Sequence, residues 1–310
     1  MIFVFLLYAL FASVFTVSKE ALQHSEPFFL VGARMMLAGI FMLAFQWIRG
    51  EPIIIKKQAW GRIFRLALFS IFLTNVFEFW GLKYLTSFKT CFIYSLSPFL
   101  SVILSYLMFS ETLTRKKWLG LIVGFLGFIP VLLAKTSQEE TAGHLWIFSW
   151  AELAVVAACF CSVYGWIVLK QLVHQDEVSP IVANGLSMFI GGSFAFLQSL
   201  CFEEWNPVPV HNFLPFMECT LFLILVSNCI CYNLYGYLLK KFSATFMSFA
   251  GLTTALFTAT FGWLVHGEVT SLSFWLSFSI VCSGLAIFYQ EELKEGAKFI
   301  RAEPALAPQS

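Results

Sequence analysis

Apolar residues fall into blocks of about twenty along this chain, a length with which a helix crosses roughly 30 Å of hydrocarbon. Short charged stretches separate the blocks. We therefore predict an all-α integral membrane protein with ten transmembrane helices. The predicted helices lie near residues 2–22, 28–48, 63–82, 87–108, 118–134, 147–169, 180–201, 216–238, 243–265 and 272–290. Lys19-Glu20 follows the first block where a signal peptide needs small residues, so this block is predicted to be a helix.

Lysine and arginine residues are spread unevenly over the predicted loops. An N-terminus in the cytoplasm leaves four of them outside, at Lys19, Lys83, Lys89 and Lys135. The fourteen inside are Arg49, Lys56, Lys57, Arg62, Arg65, Arg115, Lys116, Lys117, Lys170, Lys240, Lys241, Lys294, Lys298 and Arg301. The positive-inside rule therefore predicts an inner-membrane protein with both termini in the cytoplasm.

The two halves of the chain repeat each other at a nearly fixed spacing. Three residues recur 157 positions later, and three earlier ones recur at slightly smaller offsets. The pairs are Glu111 with Glu268, Trp118 with Trp275, Gly127 with Gly284, Gly81 with Gly236, Pro27 with Pro180 and Lys19 with Lys170. Five helices per half would give the halves opposite orientations, an architecture typical of secondary transporters. We predict inverted five-helix repeats at residues 1–140 and 141–290, followed by a solvated cytoplasmic tail at 291–310.

Several of these residues form a recognisable set: Pro27, Arg34, the stretch from Gly81 to Pro98, and Ser110-Glu111-Thr-Leu-Thr with the Gly-rich helix after it. Together with the ten helices and the duplication, the set resembles the drug/metabolite transporter superfamily, EamA type, over nearly the whole chain. The resemblance implies a secondary transporter that moves a small organic metabolite by alternating access. Ala255 stands where the first half has Pro98, so the proline kink expected in helix four has no symmetric partner.

Within that family, the Phe-rich composition, with 37 Phe, is most similar to the S-adenosylmethionine transporters of obligate intracellular bacteria. This likeness implies uptake of S-adenosylmethionine in exchange for S-adenosylhomocysteine. Amino-acid export, nucleotide-sugar transport and drug or metabolite export remain open under the same fold. From other classes, an integral membrane enzyme and a non-transporting membrane scaffold also remain. An enzyme needs a convergent set of ionisable residues, which the sequence does not show, and we predict a transporter rather than an enzyme.

The composition limits which energy source could drive transport and which partners the protein could bind. Only 12% of residues are charged and 59% are hydrophobic, whereas soluble domains carry about 25% charged residues. A net charge of +1 without a basic run predicts no nucleic-acid partner. The absence of a Gly-Lys dipeptide excludes a phosphate-binding loop, so transport is expected to use a gradient or exchange and no cofactor. The eight Cys are expected to act as small buried hydrophobes rather than as metal ligands.

Two charged residues lie in the interior of predicted helices, where exposure to lipid would cost several kcal/mol. Glu78 on helix three is expected to attract a cationic group or a proton. Arg34 on helix two is expected to receive a carboxylate. The alternative is that the two residues pair with each other and fasten two helices.

Polar residues at helical spacing complete the predicted site. Asn75 shares a face with Glu78 on helix three, and Asn228, Tyr232 and Tyr235 share a face of helix eight. These faces are expected to meet across a central cavity, where amides would bind an adenine edge and rings would stack on it; bonding between helices is the alternative. The predicted substrate-binding residues are Arg34, Asn75, Glu78, Tyr94, Trp166, Asn184, Asn228 and Tyr232, with Pro98, Ser101 and Ser105 beside Tyr94 on helix four.

Other residues are assigned structural roles. Gly120, Gly124 and Gly127 form a small-residue face on helix five, answered on helix ten by Ser277, Val281 and Gly284, and close helix packing is expected there. Glu111 and Glu268 are expected to serve in helix-end capping or short-loop geometry, with ion coupling as the alternative. Lys19 lies near enough to the end of helix one to reach the interface.

Overall fold

Helices make up most of the computed structural model, which describes residues 2–50, 53, 55–109, 114–133, 137–146, 148–240, 247, 250–267 and 271–302. In the first half they are helix 1 (Ile2–Ala21), helix 2 (Pro27–Ile48), helix 3 (Lys57–Tyr84), helix 4 (Ser87–Tyr94 and Ser97–Phe109) and helix 5 (Arg115–Leu126 and Ile129–Leu133). A short linker helix (Ser137–Glu140) precedes the second half. There they are helix 6 (Trp150–His174), helix 7 (Pro180–Phe202), helix 8 (Phe213–Leu238), helix 9 (Leu252–His266) and helix 10 (Leu272–Ala302).

Nine of these helices, within the described residues, are long and apolar enough to cross a membrane. Helix 9 contributes a shorter apolar stretch, Leu252–Val265, and much of the first third of its predicted range falls outside the described residues. Helix 10 continues past Gln290 to Ala302, where the sequence predicted a solvated extension. The fold is that of a helical multi-pass membrane protein.

One small β-hairpin departs from the all-α prediction. Strand β1 (His144–Leu145) pairs antiparallel with strand β2 (Phe148–Ser149), with His144 opposite Ser149 and Leu145 opposite Phe148. Ser149 then begins helix 6 through a capping box, in which its hydroxyl accepts from the Glu152 N–H and the Glu152 carboxylate accepts from the Ser149 N–H. Strands of two residues carry no periodicity that the sequence could reveal.

Local sequence explains where several helices begin and break. Pro27 and Pro180 occupy the first turns of helices 2 and 7, where the missing N–H costs no helical bond. Helix 4 is interrupted between Tyr94 and Ser97, directly before Pro98. The prediction of a proline-related irregularity in helix four is therefore confirmed.

Helices 3 and 8 each contain a wide-turn segment that the sequence analysis did not predict. Helix 3 is π-helical over Leu66–Leu73, and helix 8 is π-helical over Leu223–Cys231. Segments of this kind frequently occur at functional sites, because the extra residue per turn changes which side chains share a face. The two segments begin 157 residues apart, the same offset as the sequence repeat.

Chain contacts divide the molecule into two compact units, which cut across the predicted halves because each unit draws on both. Unit 1 comprises Met1–Ser101 and Lys135–Val269. Within it, helices 2 and 7 approach so closely that a Cβ added to Gly32 would lie 2.7 Å from the backbone nitrogen of Phe196. The contact fixes the part of helix 2 that carries Arg34.

Unit 2 comprises Val102–Ala134 and Thr270–Ser310. Its helices 5 and 10 pack at the predicted small-residue face, since a Cβ on Gly284 would lie 2.5 Å from the Gly124 nitrogen. The Ser277 hydroxyl accepts a hydrogen bond from the backbone nitrogen of Val131 at 3.1 Å. The prediction of close packing is confirmed.

Candidate functional site

Unit 1 contains a cavity with about 1030 Å³ of unoccupied space, including the part that opens to solvent. Helices 1, 2, 3, 4, 6, 8 and 9 contribute side chains to its lining. The charged, aromatic and amide residues are Tyr8, Phe11, Phe15, Arg34, Asn75, Glu78, Tyr94, Trp166, Tyr232 and Tyr235. The hydroxyl-bearing residues are Thr74, Ser97, Ser101, Ser162, Ser227 and Thr254.

Helix irregularities position the lining residues. Thr74 and Asn75 directly follow the π-helical segment of helix 3, and Tyr232 directly follows that of helix 8. Tyr94 is the last residue before the break in helix 4, and its carbonyl accepts from the Ser97 hydroxyl at 2.5 Å. The irregular segments thus place polar groups at one cavity.

Arg34 lines the cavity as a buried cation, and only part of its guanidinium group is hydrogen-bonded. The residue is 2% exposed, and its Nη2 donates to Asn75 Oδ1 at 2.5 Å. Its guanidinium carbon lies 4.4 Å from the centre of the Phe79 ring, a cation–π contact. No described residue accepts a hydrogen bond from its Nε or Nη1. Because buried charged donors without acceptors are costly, these groups are suited to an anionic ligand.

Glu78 is partly buried and lies on the same helix as Asn75. Its Oε2 accepts a hydrogen bond from the Tyr94 hydroxyl at 2.5 Å. Glu78 and Arg34 interact electrostatically, yet their side chains form no ion pair within 4.0 Å. The alternative in which the two charges simply pair is therefore not what the structure shows. Each charge is held by a neutral partner and remains available to a ligand.

An aromatic wall adjoins the two charges. The rings of Trp166 and Tyr235 lie 4.1 Å apart at an angle of 30°, and the Tyr232 ring lies 5.3 Å from Trp166. Phe11 meets Tyr232 edge-on at 6.5 Å. Tyr232 lines the same cavity as Arg34 and Glu78. Such a wall can accept a flat ring or a soft cation.

Six of the eight predicted site residues line this cavity, and the remaining two lie elsewhere. The Asn184 amide nitrogen donates to Asn233 Oδ1 at 3.1 Å. The Asn228 amide nitrogen lies 2.8 Å from the sulfur of Met35, and the residue is fully buried. The prediction for Asn228 assumed regular α-helical spacing to Tyr232. Asn228 lies inside the π-helical segment, where the wider turn moves it off that face.

The remaining predicted residues have mixed outcomes. Ser101 lines the cavity, whereas Pro98 does not, and the side chain of Ser105 lies outside the described part. Glu111 and Glu268 also lie outside the described residues. Lys19 donates to the carbonyls of Leu82 at 2.8 Å and Leu85 at 2.7 Å, at the C-terminal end of helix 3. A cation there complements the helix dipole rather than a substrate.

Sequence reasoning missed the contribution of helix 1. Tyr8, Phe11 and Phe15 line the cavity and follow the i, i+3, i+7 spacing of one helix face. That spacing could have identified helix 1 as part of the site, but the chain has so many aromatic residues that it did not stand out. Of the described residues, none form a group of three His, Cys, Asp or Glu side chains able to hold a metal. The cavity is equipped to bind a molecule with separate positive, negative and aromatic parts.

Comparison with known proteins also indicates a transporter. A model of the EamA-like transporter family matches residues 1–133 and 149–290. An S-adenosylmethionine/S-adenosylhomocysteine transporter of Chlamydia trachomatis serovar L2 is 37% identical, over 94% of this chain and 90% of the relative. A Chlamydia muridarum protein of the same name is 37% identical, over 94% and 92%. A solved crystal structure matches the fold with a TM-score of 0.64 at 17% identity, over 92% of this chain and 94% of that one.

Proposed function

Because the chain belongs to the EamA-like transporter family, we propose that it takes up S-adenosylmethionine in exchange for S-adenosylhomocysteine through the cavity of unit 1. The observation that carries the proposal is the arrangement of Arg34 and Glu78, two opposite charges that do not pair, beside an aromatic wall. An α-amino acid joined to a nucleoside presents the matching groups in one molecule.

Each part of the substrate has a partner in this arrangement. Arg34 binds the carboxylate through its free guanidinium donors, and Glu78 binds the ammonium group. The wall around Trp166 accepts the adenine ring, and its π-faces also suit a sulfonium cation. S-Adenosylhomocysteine lacks only the methyl group and the sulfonium charge, so both molecules of an exchange fit one site. The asparagine amides are not part of this proposal, since those of Asn75, Asn184 and Asn228 are engaged within the protein.

Competition for uptake tests the substrate. Cells that express the chain are given radiolabelled S-adenosylmethionine with S-adenosylhomocysteine, decarboxylated S-adenosylmethionine, adenosine or methionine as competitors. We expect S-adenosylhomocysteine to compete strongly and to accelerate uptake when loaded inside. The decarboxylated compound is expected to compete about 10- to 100-fold less well, because hydrogen bonds to charged groups contribute roughly 1.5–3 kcal/mol. Methionine that competes as well as the full substrate would favour amino-acid export instead.

We also propose ten spans in two inverted halves, with both termini in the cytoplasm of a cell with an inner membrane. Supporting the repeat, Asn75 and Asn233 are 158 residues apart and each donates to the carbonyls four and five residues earlier in its own helix. Each amide oxygen accepts from the preceding helix, from Arg34 in one half and from Asn184 in the other.

Reporter fusions test the topology. Green fluorescent protein fused after residue 300 is expected to fluoresce, and alkaline phosphatase fused there to be inactive, because the tail is cytoplasmic. Phosphatase inserted between helices 7 and 8, at residues 203–212, is expected to be active. Active phosphatase at residue 300 would contradict the proposed orientation, and equal activity at both positions would contradict the span number.

A further inference from the structure

Asn75 has an amide whose orientation is fixed from two sides. Its nitrogen donates to the carbonyl of Ile71 at 2.8 Å and lies 3.4 Å from that of Ser70. Its oxygen accepts from Arg34 Nη2 at 2.5 Å, and the residue is 2% exposed. A rotated amide would direct two N–H groups at the guanidinium, so only the observed orientation satisfies both sides.

The Asn75 amide donates back into the π-helical segment of helix 3. Where π-helical bonding returns to α-helical bonding, the backbone leaves a carbonyl without its usual N–H partner. Asn75 lies two residues beyond the end of the segment and directs its side-chain N–H groups at two carbonyls of the segment, that of Ile71 at 2.8 Å and that of Ser70 at 3.4 Å. The backbone irregularity thereby sets the direction in which the amide oxygen points.

We infer that Asn75 is a positioning residue that aims Arg34 at the substrate carboxylate, an inference that rests on the proposed function. By holding Nη2, Asn75 leaves Nε and Nη1 of the same guanidinium free for the ligand. The role of Asn75 requires a side chain without charge as well as the observed geometry. An aspartate of the same shape would form an ion pair with Arg34 and compete with the substrate carboxylate. Asn75 therefore sets the selectivity for substrates that carry a carboxylate.

The other half of the chain supplies a matched control. Asn233 donates to the Cys229 carbonyl at 2.9 Å, accepts from Asn184 at 3.1 Å and is 8% exposed. It has the same local geometry beside a π-helical segment, but no arginine in the described part of the chain donates to its amide, and it is not among the cavity lining residues. Substitution of Asn233 reproduces the structural damage without the effect on Arg34.

The experiment compares Asn75→Asp, Asn75→Ala, Asn233→Asp, Asn233→Ala and Arg34→Gln in the full chain. For each variant, thermal stability and the uptake constants KM and Vmax are measured. The main readout is the ratio of inhibition constants for decarboxylated and intact S-adenosylmethionine. We expect this ratio to fall at least tenfold in Asn75→Asp, through weaker binding of the intact compound alone. Asn75→Ala is expected to lower it severalfold, whereas the two Asn233 variants lose similar stability and keep the wild-type ratio.

Three results would overturn the inference. A wild-type ratio in Asn75→Asp, while Arg34→Gln loses discrimination, would leave the proposed function intact and remove the positioning role. An equal loss of the ratio in the Asn75 and Asn233 variants would show that the effect is structural. A wild-type ratio in Arg34→Gln would remove the carboxylate-binding role of Arg34 itself, which is the part of the proposed function on which the inference rests. Asn75→Asp loses the donation to the Ile71 carbonyl, and Asn233→Asp loses the equivalent donation to the Cys229 carbonyl, so the comparison of the two aspartate variants keeps the test decisive if Asn75→Ala does not fold.

Discussion

Replacement of Glu78 by glutamine is expected to reduce uptake of S-adenosylmethionine by about 10- to 100-fold while the protein stays folded, since a hydrogen bond to a charged group contributes roughly 1.5–3 kcal/mol. The Tyr94 hydroxyl donates to Glu78 Oε2, and a glutamine oxygen can accept the same bond. The variant therefore keeps the local packing and loses only the charge that attracts the ammonium group. Initial uptake rates, normalised to the amount of protein in the membrane, measure the effect.

Two further variants separate binding from structure. Tyr94→Phe removes the hydrogen bond and keeps the carboxylate, so it is expected to lower uptake only severalfold. The double variant Arg34→Gln with Glu78→Gln is expected to be as inactive as either single change, because the two side chains form no ion pair. Normal transport by the double variant would show that the charges serve only to fasten helices 2 and 3.

The positions of the helices along the chain were largely predictable, because each helix depends mainly on the residues within its own segment. A span needs about twenty apolar residues, and the chain supplies such blocks in sequence order. The break in helix 4 followed from Pro98, since proline lacks an N–H and cannot continue a helix. Prolines 27 and 180 likewise lie at helix starts, where their fixed backbone angle is favourable. Ten spans and the inversion of the halves stay predictions.

The site was predictable only where helical spacing holds. Glu78 and Arg34 stood out because charge inside a span is expensive, and both line the cavity. Asn228 shows where the reasoning fails, because its position depends on a π-helical turn that side-chain periodicity does not encode. The pairing of Asn75 with Arg34 joins residues 41 positions apart, so it depends on how helices 2 and 3 pack.

Lys89 illustrates the same limit at the start of helix 4. The charge count placed it on the outer side of the membrane and said nothing of its burial, and its side chain is 4% exposed. Its Nζ lies 2.8 Å from Glu139 Oε2 on the linker helix and 2.8 Å from Glu152 Oε1 on helix 6. The Ser149 hydroxyl also donates to Glu139 at 2.9 Å. A single buried cation thus ties the segment between the two halves to helices 4 and 6.

Replacement of Lys89 by methionine is expected to destabilise the protein by about 3–5 kcal/mol, because it leaves two buried carboxylates without the cation between them. The matched control is Lys83→Met. Lys83 pairs with Glu26 at 2.9 Å, but both side chains are substantially exposed, so this loss is expected to be roughly 1 kcal/mol or less. The purified variants are unfolded in detergent by heat or by denaturant, and their stabilities are compared under the same conditions.

A third variant tests whether the stability loss in Lys89→Met comes from the missing lysine itself or from the negative charges that remain. If the cost of Lys89→Met comes from the two carboxylates that have lost the lysine, then adding Glu139→Gln and Glu152→Gln should restore much of the stability, because both side chains become neutral and their hydrogen bonds to Ser149 can still form. Equal stability of Lys89→Met and Lys83→Met would instead show that the Lys89 cluster is hydrated in the membrane. A triple variant less stable than Lys89→Met would show that the carboxylates hold the linker through contacts other than those with the lysine.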